Sequence, residues 1–128
     1  GTPFDFREPT VVGDRIDDEV FVPGWGIDNN WCIRRAQAGD CVLAGTVYEP
    51  ESGRKMEVFT TQPGVQVYTG NWIDKVTGKE GKIYDRQDAI CLETQSIPNS
   101  ANIPFFPSPV LRPGQKYDEW CVYKFSAE

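Results

Sequence analysis

No stretch of this chain sustains an apolar repeat of about 3.6 residues over three helical turns; short runs of β-branched and aromatic residues recur instead, each closed off by Gly or Pro. That punctuation, with 12 Gly and 10 Pro in 128 residues, restricts the chain to an all-β, antiparallel fold with little helix. Strands are expected over 27–33, 41–48, 55–61, 65–68, 89–95 and 117–125. Between the second and third, Glu49-Pro50-Glu51-Ser52-Gly53 combines a fixed φ at Pro with a permissive Gly, so 41–48 and 55–61 are expected to pair as a hairpin. The first 26 residues, with an acidic cluster at 14–19, read as loop with at most one short turn of helix. Pro98, Pro104, Pro107 and Pro109 exclude a central strand and make 98–109 an extended surface loop, after which Leu111-Arg112-Pro113-Gly114 turns into the last strand. An antiparallel sandwich fits these elements, but six strands alone leave long edges open, which points to a missing partner.

The length fits one domain or a piece of one. A net charge of -6, with 13 basic residues interleaved among 19 acids, argues against a nucleic-acid partner, which would need clustered Lys and Arg. No run approaches the roughly 20 apolar residues that span a bilayer, so a soluble chain with no membrane partner is expected. The chain starts at Gly1-Thr2-Pro3; any targeting signal would lie upstream, and a cytoplasmic location is the working expectation. Cys32, Cys41, Cys91 and Cys121 form no CxxC pair and are read as free thiols in strands, with a Cys32–Cys41 bridge across a hairpin as the alternative. There is no His, the side chain most used for acid-base work near neutral pH.

Three polar residues stand out. In Ile90-Cys91-Leu92-Glu93-Thr94-Gln95, alternation sends Leu92 to one face and Glu93 to the other. Embedded in a strand, Glu93 would be desolvated and raised above its reference value of ~4.3, a better base than a surface glutamate; from alternation by itself the plainer reading is a solvated strand face. Asp28 follows Pro23-Gly24-Trp25-Gly26 at the mouth of a strand, where a carboxylate beside Trp suits sugar hydroxyls, or simply starts an Asx turn. Gln66 follows the Gln62-Pro63-Gly64 turn, and its amide would serve a ligand oxygen or just a half-exposed strand.

Taken in order, the segments resemble one family over essentially the whole chain. Gly1-Thr2-Pro3-Phe4-Asp5-Phe6-Arg7 resembles G-T-P-F-D-x-R, and Gly26-Ile27-Asp28-Asn29-Asn30-Trp31 resembles G-F/Y-D-H-N-F. The run Thr60-Thr61-Gln62-Pro63-Gly64-Val65-Gln66-Val67-Tyr68-Thr69-Gly70-Asn71 resembles T-T-Q-P-G-V-Q-F-Y-T-G-N, and Cys91-Leu92-Glu93-Thr94-Gln95 resembles C-L-E-T-Q. Leu111-Arg112-Pro113-Gly114 and Val122-Tyr123-Lys124-Phe125 complete the resemblance to the aldose 1-epimerase (galactose mutarotase) family, in its carboxyl-terminal half.

The resemblance implies an all-β sandwich of the galactose mutarotase type, of which residues 1–128 form the carboxyl-terminal part of a single domain. It implies a hexose substrate whose α and β anomers are interconverted, with Glu93 on the catalytic base, Asp28 on a carboxylate that holds sugar hydroxyls and Gln66 on a substrate-binding amide. No metal, nucleotide or other cofactor is implied. The family's acid and a second imidazole are histidines from the preceding half, so a second chain carrying that half is the expected partner; a sugar-binding module without turnover, or an inactive fragment, is the alternative. Two positions depart from the pattern: Asn29 replaces the His after the Asp, and Ser96 stands where His or Asn often follows E-T-Q.

Overall fold

A computed structural model describes residues 1–128. Its strands are β1 (Asp28–Cys32), β2 (Val42–Glu49), β3 (Arg54–Thr60), β4 (Gly64–Tyr68), β5 (Val76–Thr77), β6 (Ile83–Tyr84), β7 (Cys91–Gln95) and β8 (Cys121–Ala127). They form sheets of order β1-β4-β7, β2-β3-β8 and β5-β6. The residues pack as two units, Gly1–Asn29 with Val67–Cys91, and Asn30–Gln66 with Leu92–Glu128.

In the second unit the anticipated hairpin forms: β2 and β3 run antiparallel with Tyr48 opposite Lys55 and Glu49 opposite Arg54. The Glu49 carboxylate caps the turn, accepting the Ser52 hydroxyl and the N–H groups of Glu51 and Ser52 at 2.7 and 2.8 Å, which together hold it below the ordinary glutamate range. The register slips between Leu43 and Gly45, a bulge that adds local twist. On its other side β3 pairs antiparallel with β8, placing Val58 opposite Tyr123 and Glu57 opposite Lys124. Alternation then separates the faces: Val58 is fully buried, while Glu57 meets the Lys124 ammonium at 2.8 Å.

Val65 of β4 and Leu92 of β7 are also buried. A Cβ on Gly45 would lie 3.3 Å from a Leu92 methyl, and the Tyr123 hydroxyl donates to the Leu92 carbonyl at 2.7 Å. These contacts bring the two three-stranded sheets face to face within this unit, a β-sandwich with apolar residues inside. β8 is an outer strand of its sheet; all seven of its residues are exposed, Phe125 to 72%.

The last strand starts at Cys121 rather than 117, because the entry pairs through side chains instead of a regular ladder. The Trp120 carbonyl accepts the Thr61 N–H and the Thr60 hydroxyl at 3.1 and 2.8 Å, and the Trp120 N–H donates to Thr61 Oγ1 at 2.9 Å. The turn before it closes from the Gln115 N–H to the Arg112 carbonyl at 3.0 Å, with Pro113 fixing one corner and Gly114 at φ +85° the other, the pattern of a type II turn. Residues 98–109 contain no strand, only a 3₁₀ turn at Ser100–Asn102.

In the first unit Ile16, Phe21 and Ile27 are buried, and Phe4 packs edge-on against Phe21 with centroids 5.1 Å apart. Residues 1–26 hold two 3₁₀ turns, Val12–Asp14 and Val22–Gly24, where one short turn at most was expected; each is too brief to leave an apolar period. The β5–β6 hairpin also escaped the sequence reading, since strands of two residues carry no alternation. All four cysteines are free thiols, though Cys41 lies just before β2 rather than in a strand. No helix is long and apolar enough to cross a membrane.

Two outcomes follow from this packing. Val58→Ala should cost about 2 kcal/mol in urea denaturation, the transfer and cavity terms for a fully buried Val. Glu57 is held below the ordinary glutamate value of 4.5 by its hydrogen bond to the Lys124 ammonium. A depressed carboxylate contributes stability above its unfolded value and loses it as pH falls through the folded one. Denaturation midpoints measured below pH 4.5 should therefore fall less steeply in Glu57→Gln than in the parent chain.

Candidate functional site

In the second unit, Glu93 lies mid-strand in β7 and Gln66 in β4, on neighbouring strands of the β1-β4-β7 sheet. Each follows a buried residue, Leu92 and Val65, so alternation turns both side chains toward the opposite face from the one packed on β2-β3-β8. Gln66 is half-buried. Glu93 is exposed, so of the two readings of its strand the solvated face holds and the embedded carboxylate does not: Leu92 takes the interior position.

The turn that leads to Gln66 is held by polar groups. Arg35 donates to the carbonyls of Asp40, at 3.0 Å, and of Thr61 and Gln62, a fixed guanidinium fork gripping three acceptors. The Gln62 N–H donates to Thr60 Oγ1 and its side-chain amide to the Tyr117 hydroxyl, both at 3.0 Å. The Thr-Thr-Gln run is thus spent on structure, and Gln66 is presented beyond it. Gly64 is required for space: a Cβ there would come within 2.6 Å of Asn30 Oδ1, and the Asn30 amide is buried against it.

In the first unit, Asp28 is exposed at the first position of β1 and follows two buried residues, Gly26 and Ile27. The Ile27 N–H donates to Thr69 Oγ1 at 3.0 Å, and the Ile27 carbonyl accepts the Asn71 amide at 3.0 Å and the Thr69 N–H at 3.1 Å. Thr69 Oγ1 also donates to Asn71 Oδ1 at 2.6 Å. Gly26, at φ +141°, admits this group only because it has no Cβ; one would lie 2.3 Å from Asn71 Oδ1. The sequence reading did not single out Thr69 or Asn71; two polar residues just after an apolar strand were the signal available. Asn29 Oδ1 lies 3.4 Å from the Asp28 nitrogen, so the replaced histidine position bears on the backbone beside Asp28.

Before Asp28, Trp25 holds a left-handed φ of +60°, its carbonyl bonded by the Gln87 amide at 3.1 Å. Its ring meets Trp72 at 4.7 Å and the Arg86 guanidinium at 4.6 Å, beside a cleft of about 280 Å³. A wider, open crevice of about 790 Å³ lies among Thr2, Arg7 and Arg15; Asp28, Gln66 and Glu93 line neither.

Structure and residues together define an antiparallel β-sandwich protein that presents a carboxylate and an amide on one sheet face. The family model for aldose 1-epimerase matches residues 1–124, and the chain belongs to that family. Galactose mutarotases of Mus musculus and Homo sapiens are each 42% identical over 127 residues, covering 98% of this chain and 36% of their own length. The aldose 1-epimerase of Escherichia coli (strain K12) is 31% identical over 133 residues, covering the whole chain and 38% of the relative. A crystal structure of a GalM/aldose epimerase homologue from C. elegans superposes with a TM-score of 0.72 at 26% identity, over 98% of this chain and 37% of that one. The chain therefore spans little more than a third of the relatives it matches.

Gly64→Ala should destabilise the chain by about 1–3 kcal/mol in urea denaturation, because the new methyl must displace the buried Asn30 amide. Asn30→Gly should recover part of that loss in the double variant.

Proposed function

We propose that this chain supplies part of the catalytic cleft of an aldose 1-epimerase that interconverts the α and β anomers of hexoses such as galactose and glucose. Glu93 is the general base at the anomeric hydroxyl, Gln66 binds a sugar oxygen through its amide, and Asp28 holds sugar hydroxyls. The observation that carries the reading is the family match over residues 1–124, which spans all three residues. The placement of Gln66 and Glu93 on one face of neighbouring strands supports it.

Ring opening removes a proton from the anomeric hydroxyl while the ring oxygen gains one, and reclosure after rotation about C1–C2 gives the other anomer. A carboxylate of ordinary pKa is a weak base toward a hydroxyl, each unit of mismatch costing about 1.4 kcal/mol, so a paired acid at the ring oxygen is needed. This chain has no His to serve as that acid. We assign the acid to the part of the family fold outside these 128 residues, carried by a second polypeptide or by the same one. The open faces of Phe125, Trp120 and Tyr117, each more than 60% exposed, support a further covering element.

The alternative is a sugar-binding module without turnover, favoured by the exposure of Glu93 and the lack of His. Polarimetry on α-galactose separates the two, with the native protein assayed beside the 128-residue chain alone. The epimerase reading expects turnover by the native protein and a loss of roughly 10²- to 10⁴-fold in kcat for Glu93→Gln, with sugar affinity kept. Undiminished turnover in that variant removes Glu93 from the base role. Sugar binding without faster anomer exchange, in both preparations, leaves the binding module.

A further inference from the structure

The geometry points to Thr69 and Asn71 as positioning residues for the Asp28 carboxylate, acting through the peptide groups of Ile27. The inference rests on the reading of Asp28 as a sugar-binding residue and extends it to two side chains that cannot themselves reach solvent. Thr69 is 3% exposed and Asn71 1%, so neither touches a ligand. Yet burying a hydroxyl and a primary amide is costly unless their hydrogen bonds are met, and here they are met by Ile27 and by each other.

The arrangement is a closed set. The Thr69 hydroxyl accepts from the Ile27 N–H and donates to Asn71 Oδ1; the Asn71 amide donates to the Ile27 carbonyl, which also receives the Thr69 N–H. Both peptide groups flanking the Ile27 Cα are thereby fixed, and the second of them contains the Asp28 nitrogen. Backbone pairing alone would supply one of these bonds; the side chains supply the others. Gly26 makes the approach possible, since any side chain there would collide with both Asn71 and Thr69. An exposed carboxylate that begins a strand would ordinarily fray with the strand end. A buried clasp one residue away removes that freedom from the backbone that carries the Asp28 carboxylate.

The test uses the native protein and galactose, with KM and kcat from polarimetry, or galactose affinity by calorimetry if the protein binds without turnover. Thr69→Val keeps the shape and deletes the hydroxyl; Thr69→Ser restores it. We expect Thr69→Val to raise KM, or weaken binding, about tenfold with kcat within about twofold, and Thr69→Ser to return close to the parent. Asn71→Asp, which places an acceptor against the Ile27 carbonyl, should act like Thr69→Val and stands in should that variant not fold. Asp28→Asn is measured alongside. If it weakens galactose binding while folded Thr69→Val and Asn71→Asp do not, the positioning role is overturned and the role of Asp28 stands. If Asp28→Asn has no effect, or the native protein binds no galactose, the reading of Asp28 fails and takes the inference with it. A loss of thermal stability with unchanged KM in Thr69→Val marks the clasp as structural only, and overturns the proposal.

Discussion

A strand end that enters a protein interior carries an N–H and a carbonyl that water can no longer reach, and each must find a partner or forfeit its hydration. At Ile27 that demand is met by side chains as well as backbone, through Thr69 and Asn71. The solution explains why polar residues close β4, why residue 26 is glycine, and why an exposed aspartate can begin a strand directly after two buried residues. Elsewhere the same requirement recurs in other chemistry: Arg35 satisfies the carbonyls of the Thr61–Gln62 turn, and the Glu49 carboxylate satisfies the N–H groups of the hairpin. The irregular parts of this fold are thus ordered mainly by side chains reaching backbone.

The second recurring theme is alternation. Val58, Val65 and Leu92 are buried, and residues next to them, Glu57, Gln66 and Glu93, carry the charge or polarity. One sheet face thereby becomes interior and the other becomes available for chemistry, with no residue serving both. The Tyr123 hydroxyl reaches from β8 to the Leu92 carbonyl, so the backbone of the strand bearing Glu93 is tied to the facing sheet.

What could be read from residues alone followed the same division. The six main strands, the 49–53 turn, the Pro-rich loop and the Pro113-Gly114 turn were legible, because alternation and turn chemistry act over a few neighbours. Glu93 and Gln66 were legible as strand side chains, and their shared sheet was not. Whether Glu93 is embedded or solvated was left open by its alternation, since a side chain's cover comes from distant segments. The Thr69–Asn71 clasp was hidden for a related reason: its partner is 42 residues away in sequence, and a Thr-Gly-Asn triplet looks like any turn until that partner is known. The two-residue strands β5 and β6 leave too short a pattern to detect.

The outer strand β8 has a bearing on how the chain behaves in a test tube. Its backbone groups on the side away from β3 form a ready template, and its flanks carry Val122, Tyr123 and Phe125. Two molecules in dilute solution are kept apart by a net charge of -6, which salt would screen. Concentrated or salted preparations of the isolated polypeptide would thus tend toward edge-to-edge adhesion, and the ionic strength at which that begins gauges how much of the molecule's colloidal behaviour is set by this single ribbon.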